Sequence, residues 1–575
     1  MPWIDGELAT PDNMNNKSGI LFNVKEDVYG AIGDGITDDT ASIQSAIDTA
    51  SATGGMVYLP VGTYKISSRL SLFNNITVLG ASRGAKIQQS VVTDGFYGNS
   101  VVSVNIENLH VAGTGPDQTD VGTDGAGIYF ETNCRDIRVQ NCNVEAFDDG
   151  IFVSNMSRLF VRGCYFNENA GAGVRALNLS EGVISDNILD GSRTSGDLRN
   201  SFNGVWFSAT NNGYTNNVAV TGNVVKNTSF EAYLIKGEYN TVVGNVADNC
   251  LTGVTLESNS GETLQPVRGG TYNVVTGNVI RNTVDAGIRI GNNAGSNVLA
   301  AHSNVIADNT IKIAGGGVDV ALDSFDNTIS GNRISNLSSH GISTGATAAR
   351  NMIDSNWISQ ASNGHGILIQ GGFGNVVKNN SVFSSAQDGI RLTSTNTHTQ
   401  VLGNLCVDND RDDTSTFHGI HVNAGDFAQV SGNKCYNTDP TVGQVRGIQV
   451  SGNSCAVSDN DVRRNTNSSG IGVGGTDNII DDNNVTGFLP AVASGAGEIA
   501  LPVPYRYVTL TGTSAVTGLK AIHGGAITTL KTTATASLTD GENLKLAGNF
   551  SGTADDTITL ICDGTNFFEM SRSAN

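Results

Sequence analysis

Short apolar runs separated by polar residues and glycines fill most of the 575-residue chain, without the sustained three-to-four-residue spacing of long helices. One frame recurs, apolar-x-x-Asn-x-apolar, with its asparagine at positions 187, 223, 245, 278, 309, 332, 356, 380, 404, 433, 460 and 483. The cleanest intervals, from Asn309 through Asn332, Asn356 and Asn380 to Asn404, are 23 or 24 residues, and the wider ones leave room for loops. A fixed period of that size in short β-rich runs predicts a solenoid, here an all-β, right-handed parallel β-helix.

A second signal follows each asparagine, a glycine and then apolar-x-apolar, as in Gly150-Ile151-Phe152-Val153, Gly204-Val205-Trp206-Phe207 and Gly287-Ile288-Arg289-Ile290. Strand alternation sends the two apolar residues inward and the one between them outward, so outward residues of successive coils stack. The asparagine has a separate role. At a tight bend its amide can satisfy backbone groups and bond the equivalent amide about 4.8 Å away on the next coil. The twelve asparagines are therefore read as architecture.

Residues 1–22 read as an N-terminal arm and 23–488 as the β-helix, with a capping helix near 39–52 whose apolar stripe is Ile43 and Ile47. Asp38, Asp39 and Thr40 suit its N-terminus. Residues 489–504 read as a linker, and 505–575, with turns at Asp540-Gly541 and Asp563-Gly564, as a small C-terminal β-domain.

Composition narrows the function. A net charge of −21 argues against nucleic acid as partner, which needs a basic surface. No apolar run is long enough for a membrane span, and the first residues lack a signal peptide's pattern. Of the eight cysteines, Cys142 and Cys164 take the asparagine slot, and Cys406 and Cys435 take inward slots, which predicts reduced core ladders. Their spacings match no zinc pattern, and no metal or cofactor is required by the sequence. The acidic run Asp408-Asn409-Asp410-Arg411-Asp412-Asp413 keeps Ca2+ possible but fails the EF-hand template, and reads as a solvated loop.

The segment Asn23–Ile66, with YGAIGDGITDDTASIQSAIDTA and GGMVYLPVGTYKI, resembles the opening of the pectate-lyase superfamily. That superfamily includes phage tailspike depolymerases, polygalacturonase-like enzymes and mannuronan C5-epimerases. The ending DDTITLICDGTNFFEMSRSAN resembles C-terminal modules of phage tail and related surface proteins. These resemblances imply a pectin-lyase-like solenoid acting on an extracellular polysaccharide, outside the cell or on a virion surface, and a homotrimer.

Aligning coils on their glycines places the candidate chemistry. Arg175, Trp206, Thr255, Arg289 and Asp319 stand two residues after the glycine, and Lys236 and Glu257 four after it. Trp206 can stack on a sugar with Arg175 beside it, and Glu231 and Tyr233 adjoin them as substrate-binding candidates. Lys236, Glu257, Arg289 and Asp319 are the catalytic candidates, with Lys236–Glu257 and Arg289–Asp319 in ion-pair reach as surface pairs. The insertions 190–203 and 258–272 would wall a groove. An alternative site is the histidine series His340, His365, Asp388 and His418, each just before a glycine, with His421 nearby. A straight ladder of them is not expected to converge on one ion.

Two chemistries fit. Elimination from a uronic-acid polymer needs a base, Lys236, and a cation for the carboxylate, Arg175 or Arg289; this is slightly favoured. Hydrolysis needs two carboxyls about 5–9.5 Å apart, from Glu257 and Asp319 or from Asp148, Asp149 or Glu262. Epimerisation is disfavoured, because Gly150-Ile151-Phe152-Val153-Ser154 stands where the epimerases carry their tyrosine, aspartate and histidine. A glycan-binding tail fibre or adhesin without catalysis is the remaining alternative.

Overall fold

The computed structural model describes residues 21–115, 125–192, 202–208, 214–258, 270–294 and 297–573, the last range without 413, 415, 424, 440, 442, 466–469, 482, 485–490, 496, 500, 502–506, 521–523 and 534. Most of the expected arm, parts of both groove insertions and of the linker, and the acids Glu262 and Asp413 lie outside these residues. The chain divides into two compact units, Met1–Ser335 and Asn336–Asn575.

In the first unit the coil strands pair in parallel with their equivalents one coil on, and Asn292–Ala294 and Asn297–Leu299 form a separate antiparallel pair. Val205, Trp206 and Phe207 face Tyr233, Leu234 and Ile235, which face Val254, Thr255 and Leu256. Inward residues such as Ile151, Val153, Val205, Phe207, Val254 and Leu256 are fully buried, as the alternation requires. This is a parallel β-helix.

The expected asparagine ladder runs Asn187, Asn223, Asn245, Asn278, Asn309, Asn332. At each rung Nδ2 and the backbone N–H donate to Oδ1 of the next asparagine, at 2.9–3.0 Å. The same Nδ2 also donates to a carbonyl of the preceding coil, as from Asn309 to Val275. The residue before each asparagine, among them Asp186, Gly222, Gly244, Gly277 and Asp308, has φ between 53° and 66°. That left-handed bend is one that glycine, aspartate and asparagine tolerate best.

A second ladder, Asn240, Asn273, Asn304 and Asn327, runs five residues upstream of the first, each backbone N–H donating to the next Oδ1 and the Nδ2 of Asn273 and Asn304 doing so as well. Its signal was present in the sequence as an Asn-x4-Asn doublet in coil after coil.

The helix Thr40–Thr53 buries Ile43, Ala46, Ile47 and Ala50, and ends at Gly54 in the left-handed region, φ 70°. Asp39 stands at its N-cap but makes no side-chain cap bond; its carboxylate accepts from Ile32 and Gly33 N–H at 2.7 and 2.9 Å instead. Asp38 accepts from Thr40 N–H at 3.0 Å.

The second unit repeats the coil pattern, with the ladder Asn356, Asn380, Asn404, Asn433, Asn460, Asn483. Further along, strands from Ala491–Ala493 to Phe567–Ser573 form two mixed sheets around Leu510, Val516, Leu530, Leu538, Phe550 and Ile558. All eight cysteines are free and buried, with Cys406 beside Cys435 in register. No described helix is long and apolar enough to cross a membrane.

Candidate active site

The outward column of the first unit holds, coil by coil, Tyr97, Tyr129, Phe152, Arg175, Trp206, Leu234, Thr255, Arg289 and Asp319. Its first part is an aromatic strip. Tyr129 stacks on Phe152 at 4.9 Å between ring centres, and the Arg175 guanidinium lies 5.0 Å from Phe152 and 4.2 Å from Trp206. Tyr97 and Tyr129 both donate to Glu131, which also accepts from Asn99 at 2.9 Å. Those bonds, from Tyr97 first, hold the Glu131 carboxyl below its ordinary range. Sequence reasoning passed over these residues, although Gly95-Phe96-Tyr97 and Gly127-Ile128-Tyr129 carry the same frame as the coils that it aligned.

Charge gathers at the later coils, in Arg289 and Asp319 of this column and in Lys236 and Glu257 two residues after Leu234 and Thr255. Lys236 Nζ lies 2.8 Å from Glu257 Oε1, with side-chain exposures of 16% and 6%. The expectation of a surface pair is thereby corrected: this pair is largely desolvated, and removing Lys236 would leave Glu257 buried and uncompensated, at a cost of about 3–5 kcal/mol. Arg289 pairs with Asp285 on its own coil and lies 3.9 Å from Asp319. Glu231 is raised above the ordinary carboxyl range, mainly by burial and then by the negative charge of Glu257, against the opposing charges of Arg289 and Lys236. Tyr233 does not reach this face. It is 1% exposed, and its hydroxyl bonds the carbonyls of Asn223 and Val246 at 3.1 Å, so it is a core residue.

Asp149, one residue before Gly150, shows which effect wins in a buried pair. Arg175 Nη1 is 3.4 Å from its Oδ2, yet burial outweighs that attraction and, with the charge of Asp148 assisting, raises the carboxyl to about 7. A folded-state value above the unfolded 3.8 means that the native state holds the proton more tightly, so stability falls as pH rises from about 4 to about 7. Asp149→Asn is expected to remove that slope, on the order of a few kcal/mol, in urea denaturation across this range. Equal slopes in variant and wild type would contradict it.

Buried polar side-chain atoms without a hydrogen-bond partner gather on this face: Asp149 Oδ1, Arg175 Nε, Trp206 Nε1, Thr252 Oγ1, Thr255 Oγ1 and Glu257 Oε2, among the described residues. Each is a desolvation cost that a hydroxyl-rich ligand or ordered water would offset.

The histidine series lies in the second unit, where it forms the expected ladder and is joined by side chains from the neighbouring column. His365 N–H donates to His340 Nδ1 at 3.0 Å, Asp388 N–H to His365 Nδ1 at 3.1 Å, and His418 N–H to Asp388 Oδ1 at 2.7 Å. His421, from the outward column, folds back with Nδ1 3.4 Å from Asp388 Oδ2, and Arg391 Nη1 approaches the same oxygen at 3.0 Å. The groups converge on one carboxylate because they come from two adjacent columns. Burial keeps His365 down at about 3 and His418 at about 4.

The acidic run is not a solvated loop throughout. Asp410 is fully buried and accepts from Thr414, Thr416 and Phe417 N–H at 3.1–3.3 Å, which shapes the loop leading to His418. Asp408 is engaged by Thr438.

Residues 21–277 match the family described as rhamnogalacturonase A/epimerase, pectate lyase-like, and residues 267–416 match the periplasmic copper-binding protein (NosD) family. Mannuronan C5-epimerase AlgE1 of Azotobacter vinelandii is 27% identical over 271 residues, covering 41% of this chain and 18% of that protein. The preneck appendage protein of Bacillus phage PZA is 28% identical over 146 residues, covering 22% of this chain and 16% of that protein. The chain thus spans less than a fifth of the length of these relatives. The N-terminal fragment of bacteriophage Phi29 gene product 12 shares the fold with a TM-score of 0.53 at 13% identity, over 91% of this chain and 87% of that one.

Proposed function

We propose that this chain, a pectate-lyase-like parallel β-helix, is an endo-acting polysaccharide hydrolase whose acid and base are Glu231 and Glu257. One observation carries the reading. Two carboxyl groups on successive coils have different surroundings: Glu231 is biased towards its acid form, chiefly by burial and further by Glu257, while Glu257 is paired with Lys236 at 2.8 Å. A carboxyl biased towards its acid form, with a second carboxyl held by a cation on the same face, supplies the two groups that glycosidic cleavage requires.

Glu231 donates its proton to the departing glycosidic oxygen, and Glu257 activates water or attacks the sugar carbon. The aromatic strip from Tyr97 to Trp206 holds sugar rings on one side of the cut. Elimination is less well supported, since Lys236 as base would have to leave Glu257, and Arg175 and Arg289 each already face a carboxylate of the chain. An extracellular polymer remains the substrate class, in keeping with the carbohydrate-modifying relatives, and a trimer the proposed assembly.

The test is a panel of alginate, pectins, glucans and bacterial capsules, read by reducing ends and by ultraviolet absorbance. New reducing ends without absorbance support hydrolysis. Absorbance from an unsaturated product means elimination, and binding without either means a glycan-binding fibre.

Trp206→Ala removes a stacking surface and the partner of the Arg175 guanidinium. KM is expected to rise roughly five-fold, about 1 kcal/mol, with kcat little changed. Steady-state kinetics on the cleaved polymer measure it, and an unchanged KM would remove Trp206 from the substrate face.

A further inference from the structure

The histidine cluster has a feature that the stacking of coils does not explain. In the slot before each glycine, the side chains of His340, His365 and Asp388 each accept the backbone N–H of the next coil's residue. His418 takes the same slot, opposite Arg446, but its Nδ1 is buried and has no hydrogen-bond partner. His418 is 7% exposed, so water does not compensate.

We propose that Asp388, His418 and His421 bind a divalent transition-metal ion. One ligand atom from each lies within 4.8 Å of the others, His421 Nδ1 is 3.4 Å from Asp388 Oδ2, and the His418 and His421 rings meet edge to face at 4.9 Å. Two imidazoles and a carboxylate suit zinc-class ions rather than calcium, which takes oxygen ligands. Asp388 is fully buried and its Oδ1 is fixed by His418 N–H, so its Oδ2 is held in place for the ion. Three protein ligands leave the ion a further position on the side of His421 and Arg391, whose side chains are 16% and 23% exposed.

Arg391 makes the proposal discriminating. Its Nη1 lies 3.0 Å from Asp388 Oδ2, so guanidinium and metal ion compete for one oxygen, and the ion binds with the arginine swung towards solvent. Removing the arginine therefore strengthens binding, whereas a role confined to holding the coil together would give no such gain.

The experiment uses untagged, chelator-treated full-length protein titrated with Zn2+ by calorimetry and with Co2+ by visible absorption. One ion per chain is expected, with Co2+ giving the d–d bands of a nitrogen- and oxygen-ligated site. His418→Ala and His421→Ala each weaken Zn2+ binding by roughly 100-fold or more. Arg391→Gln tightens it, and His340→Ala leaves it unchanged. Circular dichroism and melting of each variant separate lost ligands from lost fold. Failure of wild-type protein to bind either ion, or a weaker Zn2+ affinity in folded Arg391→Gln, overturns the proposal.

Discussion

Glu231→Gln is expected to lower kcat by about 10²- to 10⁴-fold on the polymer that the wild type cleaves, while the protein folds normally. The amide keeps the shape of the side chain and cannot deliver a proton. Because burial and the charge of Glu257 raise the Glu231 carboxyl, the wild type loses activity on the alkaline side as Glu231 ionises, and the variant lacks that limb. Aryl glycosides with acidic leaving groups should be spared, since they depart without protonation. Folding supplies an independent sign. A carboxyl with a raised folded-state value costs stability as pH rises through its titration, so Glu231→Gln should be no less stable than wild type at neutral pH. A variant with wild-type kcat on the polymer would remove Glu231 from catalysis.

Asn309→Ala is expected to destabilise the first unit by about 3–6 kcal/mol, far beyond an ordinary polar-to-alanine change. Asn309 Oδ1 accepts from both the backbone and the side-chain nitrogens of Asn278, at 3.0 and 2.9 Å, and Nδ2 donates to Val275 O and Asn332 Oδ1 at 2.9 and 3.0 Å. Alanine leaves the buried Asn278 N–H without its acceptor and takes from the Val275 carbonyl one of its donors, and no water reaches them. Urea denaturation followed by circular dichroism measures the change. A loss under 1 kcal/mol would mean that neighbouring rungs rearrange to satisfy both groups.

The repeat that makes Asn309 costly to lose is also what made the fold legible. A one-dimensional array repeats its bonding problem in every coil, so Asn187 to Asn483 announce the period, and the glycine with its apolar-x-apolar run announces the strand. Register between coils then follows by counting, which is why Arg175, Trp206 and Arg289 could be put in one column before any coordinates. Counting does not report depth. By spacing alone Lys236 and Glu257 are surface residues, whereas in the fold they are mostly buried and Tyr233 sits in the core. Nor does it report side chains that lean sideways between columns, and His421 reaching back to Asp388 is of that kind. The carboxyl of Glu231 is raised chiefly by burial and further by Glu257 one coil on, effects that a linear reading registers only as a glutamate beside an alanine.

The eight buried thiols carry a consequence for how the molecule can be interrogated. Cys134, Cys142, Cys164 and Cys250 sit in coils of the first unit, and Cys406, Cys435 and Cys455 in coils of the second, with Cys562 in the terminal sheets. A thiol reagent reaches each one only when its own stretch of chain opens. The protein therefore carries a native set of position-coded clocks. Timed alkylation followed by peptide mass spectrometry would read eight local opening rates from one sample, and would reveal whether fraying starts at an end of the solenoid or in its middle.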